Sequence, residues 1–193
     1  MQNATAIFPP RILSIESLSG KLFRVLTGTL FLAASSWISV PTFPVPITMQ
    51  TYAVLVIGAL FGARLGTATV VTWLMEAAFG LPVLAHGAAG VGVFLGPTAG
   101  YLFSFPVAAA FVGWLSDRRL DRGVVSSFLS MLGGNAINLA LGVLWLAVAV
   151  GWRGAFVVGF LPFWIGGIVK ALLATASVMV FRNSRGRLSN EPR

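Results

Sequence analysis

Six apolar runs, most of them near the roughly 20 residues that cross a bilayer core, occupy this chain almost from end to end. They cover about 22–40, 47–62, 66–79, 97–115, 124–150 and 160–181. In hydrocarbon every backbone N–H and C=O must be paired within the protein, so runs of this kind are read as α-helices. Only 9% of the residues are charged and the mean hydropathy is +0.90, which leaves little or no material for a soluble domain. The second and third runs are short for independent spans. The segment Gly62-Ala63-Arg64-Leu65-Gly66 between them supplies two helix-ending glycines and one charge, so the two also read as a hairpin. No run repeats another. The expected fold is an all-α integral membrane protein of six transmembrane helices.

Charge placement orients the bundle. With the N-terminus on the cytoplasmic side, Arg11, Lys21, Arg24, Arg64, Arg118, Arg119, Arg122, Arg182, Arg185, Arg187 and Arg193 all fall inside, and Arg153 alone falls outside. That bias follows the positive-inside rule, and an even number of spans puts both termini in the cytoplasm. The net charge of +8 is thus explained by topology and calls for no nucleic acid. The chain divides into a cytoplasmic segment 1–21, a transmembrane domain 22–182 and a basic cytoplasmic tail 183–193. ILSIESL, after Pro9-Pro10, reads either as a short interfacial helix or as unstructured chain. The first run is longer than a signal-peptide core and lacks a small-x-small site, so no cleavage is expected.

The segment from Leu81 to Leu102, LPVLAHGAAGVGVFLGPTAGYL, is glycine-rich and nearly uncharged. A solvated linker has no need of Leu84, Val91, Val93, Phe94 and Leu95, so the segment reads as a packed cap at the membrane surface. Its glycines, Gly87 and Gly90 among them, let backbone approach a ligand closely. Within the spans, Lys170 stands about midway along the sixth, on a stripe with Phe163, Gly166, Gly167, Ala174 and Ser177 that faces the bundle. An ammonium there costs several kcal/mol unless partnered. It either meets helix-end carbonyls or Glu76, or it meets an anionic ligand. Glu76 shares a stripe with Thr69, Thr72, Trp73 and Gly80. It either pairs with Lys170, accepts hydrogen bonds from a ligand, or is neutral. Asn135 and Asn138, three apart in the fifth run, form a polar ridge suited to interhelical packing or to the same interior. His86 reads as a loop histidine, since no second His and no Cys exists to complete a metal site.

The inventory excludes several classes. With no cysteine, one intramembrane glutamate and one loop histidine, nothing assembles an intramembrane enzyme. G-x-x-x-x-G-K-[ST] is absent, so any ATP-driven step belongs to a partner. No cofactor is expected.

PVPITMQT at 44–51, EAAFGLPVLAHGAAGVGVFLGPTAGYL at 76–102, GGNAINLALGVLWL at 133–146 and PFWIGGIVKALLA at 162–174 together resemble the BioY biotin-transporter family. The resemblance covers about 22–182. Members of that family are the substrate-capture, or S, components of energy-coupling-factor (ECF) transporters. It implies an S-component bundle in a bacterial cytoplasmic membrane, a biotin pocket open to the outside, a transmembrane coupling subunit and two cytoplasmic ATPases as partners, and membrane lipid around it; the alternatives are transport alone as a homo-oligomer, or an S component for a related small vitamin. On this reading Lys170 takes the biotin carboxylate. Glu76, Asn135 and backbone around Gly87 to Gly90 take the ureido group. Trp73, Leu84 or Tyr101 pack the rings, Gln50 and Thr51 help to close the mouth, and His86 counts among the substrate-binding residues. The chain departs from the family where Ile165-Gly166-Gly167 replaces Pro-Gly-Asp, with Lys170 retained, and Glu76 is a candidate to take over from the missing aspartate. The first span lacks a clean AxxxA pattern for the coupling subunit; Thr29 and Ala33 form the nearest small pair.

Overall fold

The computed structural model describes residues 17–188, so the segment before Ser17, most of ILSIESL included, and the tail after Leu188 lie outside the described residues. Among the described residues five α-helices carry the fold: α1 (Leu18–Trp37), α2 (Gln50–Ala78), α3 (Ala99–Asp117), α4 (Val124–Ala155) and α5 (Phe163–Leu188). Among the described residues four stretches are long and apolar enough to cross a membrane: Gln50–Ala78, Ala99–Asp117, Val124–Phe160 and Phe163–Ser184. α1 is not among them, because Lys21, Arg24 and its Ser, Thr and Gly residues lower its hydropathy.

α2 holds two of the apolar runs and folds back on itself. Gly62 has φ +81° and ψ 175°, a left-handed conformation that breaks the helix and that only glycine adopts without strain. A Cβ built on Gly66 would lie 3.1 Å from the Cα of Gly58. In a continuous helix those residues would stand about 12 Å apart along the axis. The chain therefore reverses at Gly62, and the two rods meet where both partners are glycine. The backbone N–H of Ala63, one of the orphan donors of the second rod, is satisfied by Asp117 Oδ2 at 2.9 Å from the end of α3. Ser116 Oγ donates to Ala59 O at 2.7 Å beside it. Each rod is roughly 18–24 Å long, short of a bilayer core of about 30 Å. Room is thus left at the end of the bundle opposite Gly62.

Two further elements occupy that room. Ser39–Val40 (β1) and Ile47–Thr48 (β2) form an antiparallel ladder with Ser39 opposite Thr48 and Val40 opposite Ile47. The second apolar run was expected to be helical from Ile47, yet the helix starts at Gln50. The ladder explains the difference, since Ile47 and Thr48 are held extended by pairing with Val40 and Ser39. The other element is the glycine-rich segment, which folds into two short 3₁₀ turns, Ala85–Gly87 and Val91–Phe94.

α4 and α5 run antiparallel, joined through a π-type turn at Phe156–Phe160. Asn135 meets Gly167 at one level, and Asp121 meets Arg182 near the Gly62 end. The small-residue face of α1 packs inward: Gly28, Thr29, Ser35 and Ser36 are buried, while Leu22, Phe23, Leu26 and Leu30 face outward. Thr29 is therefore spent on internal packing. Basic residues gather at one end, with Lys21, Arg24, Arg64, Arg119, Arg122 and Arg182 lining two clefts that share Gly62 and Asp117.

Candidate functional site

At the end away from Gly62, the short rods of α2 stop below a cavity of about 440 Å³. That volume falls in the range of small-molecule sites, roughly 300–1,000 Å³. Its walls come from the β1–β2 loop (Pro44, Val45, Pro46), the starts of α2 (Gln50, Thr51) and α3 (Tyr101, Leu102, Phe105), the cap (Leu84, His86, Val93) and Asn138 of α4. Apolar surface dominates, with a few polar groups among it, the usual composition of a site that fixes a ligand's orientation. Gln50 and Thr51, the first residues of α2, and Thr98, the N-cap of α3, stand in the wall, so the positive ends of two helix dipoles border the cavity. Such a border favours a ligand with an anionic or strongly accepting group.

The cap is pinned at four points. Gly90 N donates to Ala77 O at 2.7 Å, Trp73 Nε1 to Val83 O at 3.1 Å and Trp145 Nε1 to Gly96 O at 3.0 Å. His86 Nε2 lies 3.3 Å from Ser39 Oγ, and its own backbone is left-handed, with φ +56°. A segment so tied is a built roof over the cavity, as its apolar residues led us to expect.

Of the residues singled out from the sequence, Gln50, Thr51, Leu84, His86 and Tyr101 come together around the cavity. Tyr101 is held by a bond from its hydroxyl to Gly159 O at 2.9 Å and by the stacked ring of Phe163, 5.9 Å away between centroids. Gly87 and Gly90 belong to the cap but not to the cavity wall. Trp73 stands one layer back: it is fully buried, spends its N–H on Val83, and packs on Phe105, which does line the cavity. Glu76 is also outside the wall. Among the described residues it forms no ion pair with Lys170, and its backbone carbonyl accepts from Leu81 N at 3.0 Å to close the C-terminus of α2.

Neither Lys170 nor Asn135 stands in the cavity wall, and Asn135 abuts Gly167, one turn of α5 from Lys170. Lys170 is only 8% exposed, and no hydrogen bond or ion pair reaches it among the described residues. Side chains on a helix lean toward its N-terminus, so the Lys170 stem points up α5 toward the cavity end. One turn above it, the place where a Gly167 side chain would begin is filled by the amide of Asn135. An aspartate at 167 would have no room while Asn135 stands there.

Asn138, Thr48, Thr98 and Phe105 also line the cavity, and none of them is among the site residues expected from the sequence. The signal for Asn138 was its spacing three residues from Asn135, which puts both on one face. Thr48 was marked by its place in PVPITMQT.

Comparison with known proteins agrees with this architecture. The chain is 39% identical over 165 residues to the probable biotin transporter BioY of Pyrococcus horikoshii, covering 84% of this chain and 96% of that protein. It is 36% identical over 155 residues to the biotin transporter BioY of Thermotoga maritima, covering 80% and 90%. A crystal structure of the S-component for biotin from an ECF-type ABC transporter superposes with a TM-score of 0.72 at 26% identity, covering 86% of this chain and 92% of that one. A family model described as the BioY family matches residues 9–187, and the chain belongs to that family.

Proposed function

We propose that this chain captures biotin on the outer side of a bacterial cytoplasmic membrane and serves as the biotin-specific S component of an ECF transporter. The observation that carries the reading is the roofed, mostly apolar cavity at the end of the bundle opposite the basic residues, in a chain of the BioY family. Biotin matches such a space: its bicyclic ring and valeryl chain are apolar, its ureido group is a neutral donor and acceptor, and its carboxylate is an anion. The carboxylate goes to Lys170, whose ammonium has no other partner among the described residues.

On this reading the two rods of α2 count as two short spans, giving six spans with both termini cytoplasmic. The gathering of Lys21, Arg24, Arg64, Arg119, Arg122 and Arg182 around Gly62 supports that orientation. Transport energy comes from outside the chain. A transmembrane coupling subunit and two cytoplasmic ATPases would change which side the cavity faces, by binding one orientation better than the other.

The cysteine-free chain offers a direct test. In intact cells an impermeant maleimide should modify Thr98→Cys in the cavity wall and Arg153→Cys near the end of α4, and biotin should protect only the former. Arg119→Cys should react only after permeabilisation. Labelling of Arg119→Cys in intact cells would overturn the orientation, and Thr98→Cys left unprotected by saturating biotin would overturn the site.

A further inference from the structure

At the Gly62 end, a cleft of about 590 Å³ opens between the start of α1, the second rod of α2 and the end of α3. Lys21 and Arg24 of α1 and Arg64 of α2 supply its positive charge, and Phe61, Leu65 and Trp114 contribute apolar surface. Asp117 is the one acid in the lining, and its Oδ2 already accepts from Ala63 N at 2.9 Å. Three cations against one carboxylate leave the cleft with an excess of positive charge. Lys21 and Arg64 are exposed, and among the described residues no hydrogen bond or ion pair reaches either side chain. Arg24 is placed differently, with its guanidinium 5.9 Å from the centroid of the Phe61 ring. The second rod begins beside Arg64, so the positive end of its dipole adds to the same field.

Two features decide what kind of anion fits. The exposed face that starts at Arg64 and Ala68 continues at helical spacing along the second rod through Val71 and Met75, both exposed. On the other wall Trp114 is exposed, with the Arg118 guanidinium 4.2 Å from the centroid of its ring, an aromatic and basic pairing suited to a membrane–water interface. Charge at one level thus runs into apolar surface at membrane depth. A soluble anion would use the charge and leave the apolar surface idle, whereas a phospholipid uses both. By contrast the neighbouring cleft, with Arg119, Arg122 and Arg182, is mostly polar. We propose that the cleft of Lys21 and Arg64 is a binding site for an anionic phospholipid, with those two side chains holding the headgroup phosphate and an acyl chain lying along Val71 and Met75. An anionic lipid is favoured over a zwitterionic one because no headgroup cation offsets its phosphate. The site requires only that the helices span a membrane, and it is independent of what the cavity at the other end binds.

Native mass spectrometry of the purified full chain, delipidated in detergent and titrated with phosphatidylglycerol or with phosphatidylcholine of the same acyl chains, reads the site. The parent should retain a single phosphatidylglycerol in preference to phosphatidylcholine. Lys21→Gln and Arg64→Gln should each weaken phosphatidylglycerol by about fivefold, and the two together by about twentyfold. Arg119→Gln with Arg122→Gln removes as much charge from the same end but from the other cleft, and should change the affinity by less than about twofold at physiological salt. All four side chains are exposed, so in lipid-free detergent each variant should unfold at the temperature of the parent. Excess inorganic phosphate, added at constant ionic strength, should leave the lipid in place. A parent without preference for phosphatidylglycerol would overturn the proposal outright. Equal losses in the two double variants would also overturn it, leaving only the general attraction of a basic surface, and displacement of the lipid by inorganic phosphate would overturn it in favour of a soluble-anion site.

Discussion

Lys170→Met is expected to weaken biotin by roughly 10- to 150-fold, the equivalent of about 1.5–3 kcal/mol for a charge-assisted hydrogen bond. Binding of biotin methyl ester should change by less than about threefold, because the ester has no anion to lose. The expectation follows from the surroundings of the ammonium. Lys170 is 8% exposed on a helix that crosses the membrane, and neither Glu76 nor any other described carboxylate pairs with it. On the proposed reading, that cation without a protein partner meets the carboxylate of biotin. Thermal unfolding of the ligand-free variant should occur at the same temperature as in the parent or higher, since the substitution removes an unpaired buried charge. Equal weakening of acid and ester would show that Lys170 shapes the site without meeting the carboxylate.

The largest effect on stability is expected at the opposite end. Arg182 Nη2 lies 2.7 Å from Asp121 Oδ2, with the aspartate fully buried and the arginine 17% exposed. The same guanidinium also reaches Asp121 O at 2.9 Å, Ser116 Oγ at 2.9 Å and Ala59 O at 3.3 Å. One side chain near the end of α5 thus ties together α2, α3 and the turn into α4. Arg182→Met leaves the Asp121 carboxylate buried without a counter-charge and should cost about 3–5 kcal/mol. Adding Asp121→Leu should recover a large part of that loss, because an apolar pair can replace a buried ion pair while a lone charge cannot remain. Denaturant unfolding in micelles measures both. Biotin affinity of the folded fraction should stay unchanged, since the cavity is at the other end. A cost of under about 0.5 kcal/mol for the single variant would mean that water reaches Asp121 freely.

The apolar runs made the helices legible, and Gly62-Ala63-Arg64-Leu65-Gly66 made the reversal within α2 legible, because glycine and charge interrupt a hydrophobic pattern in ways that pattern reading detects. The cap was legible for a similar reason: a glycine-rich stretch interleaved with Leu, Val and Phe must pack on something. Height along the bundle was not legible. Helical spacing says which stripe a residue shares but not how far that stripe stands from a cavity defined by other elements. Trp73 and Glu76 were expected at the ligand because they share an inward stripe with Thr69. The second rod of α2 carries Trp73 up behind Phe105, where its N–H holds the cap at Val83. Asn135 and Asn138 share one face of α4, and the one-turn offset that seats Asn135 against Gly167 and Asn138 in the cavity wall depends on how α5 packs. The pairing of Ser39 with Thr48 was not legible either, because it needs both strands in view.

The measurement that bears most directly on the whole account is a calorimetric titration of the purified, folded chain with biotin in the absence of nucleotide and of any partner protein. Saturable binding of one biotin per chain, unaffected by adding ATP, is the predicted result, because the cavity and Lys170 belong to this chain and no P-loop sequence does. Absence of saturable binding in a preparation that unfolds cooperatively, or binding that appears only when ATP is present, would contradict it.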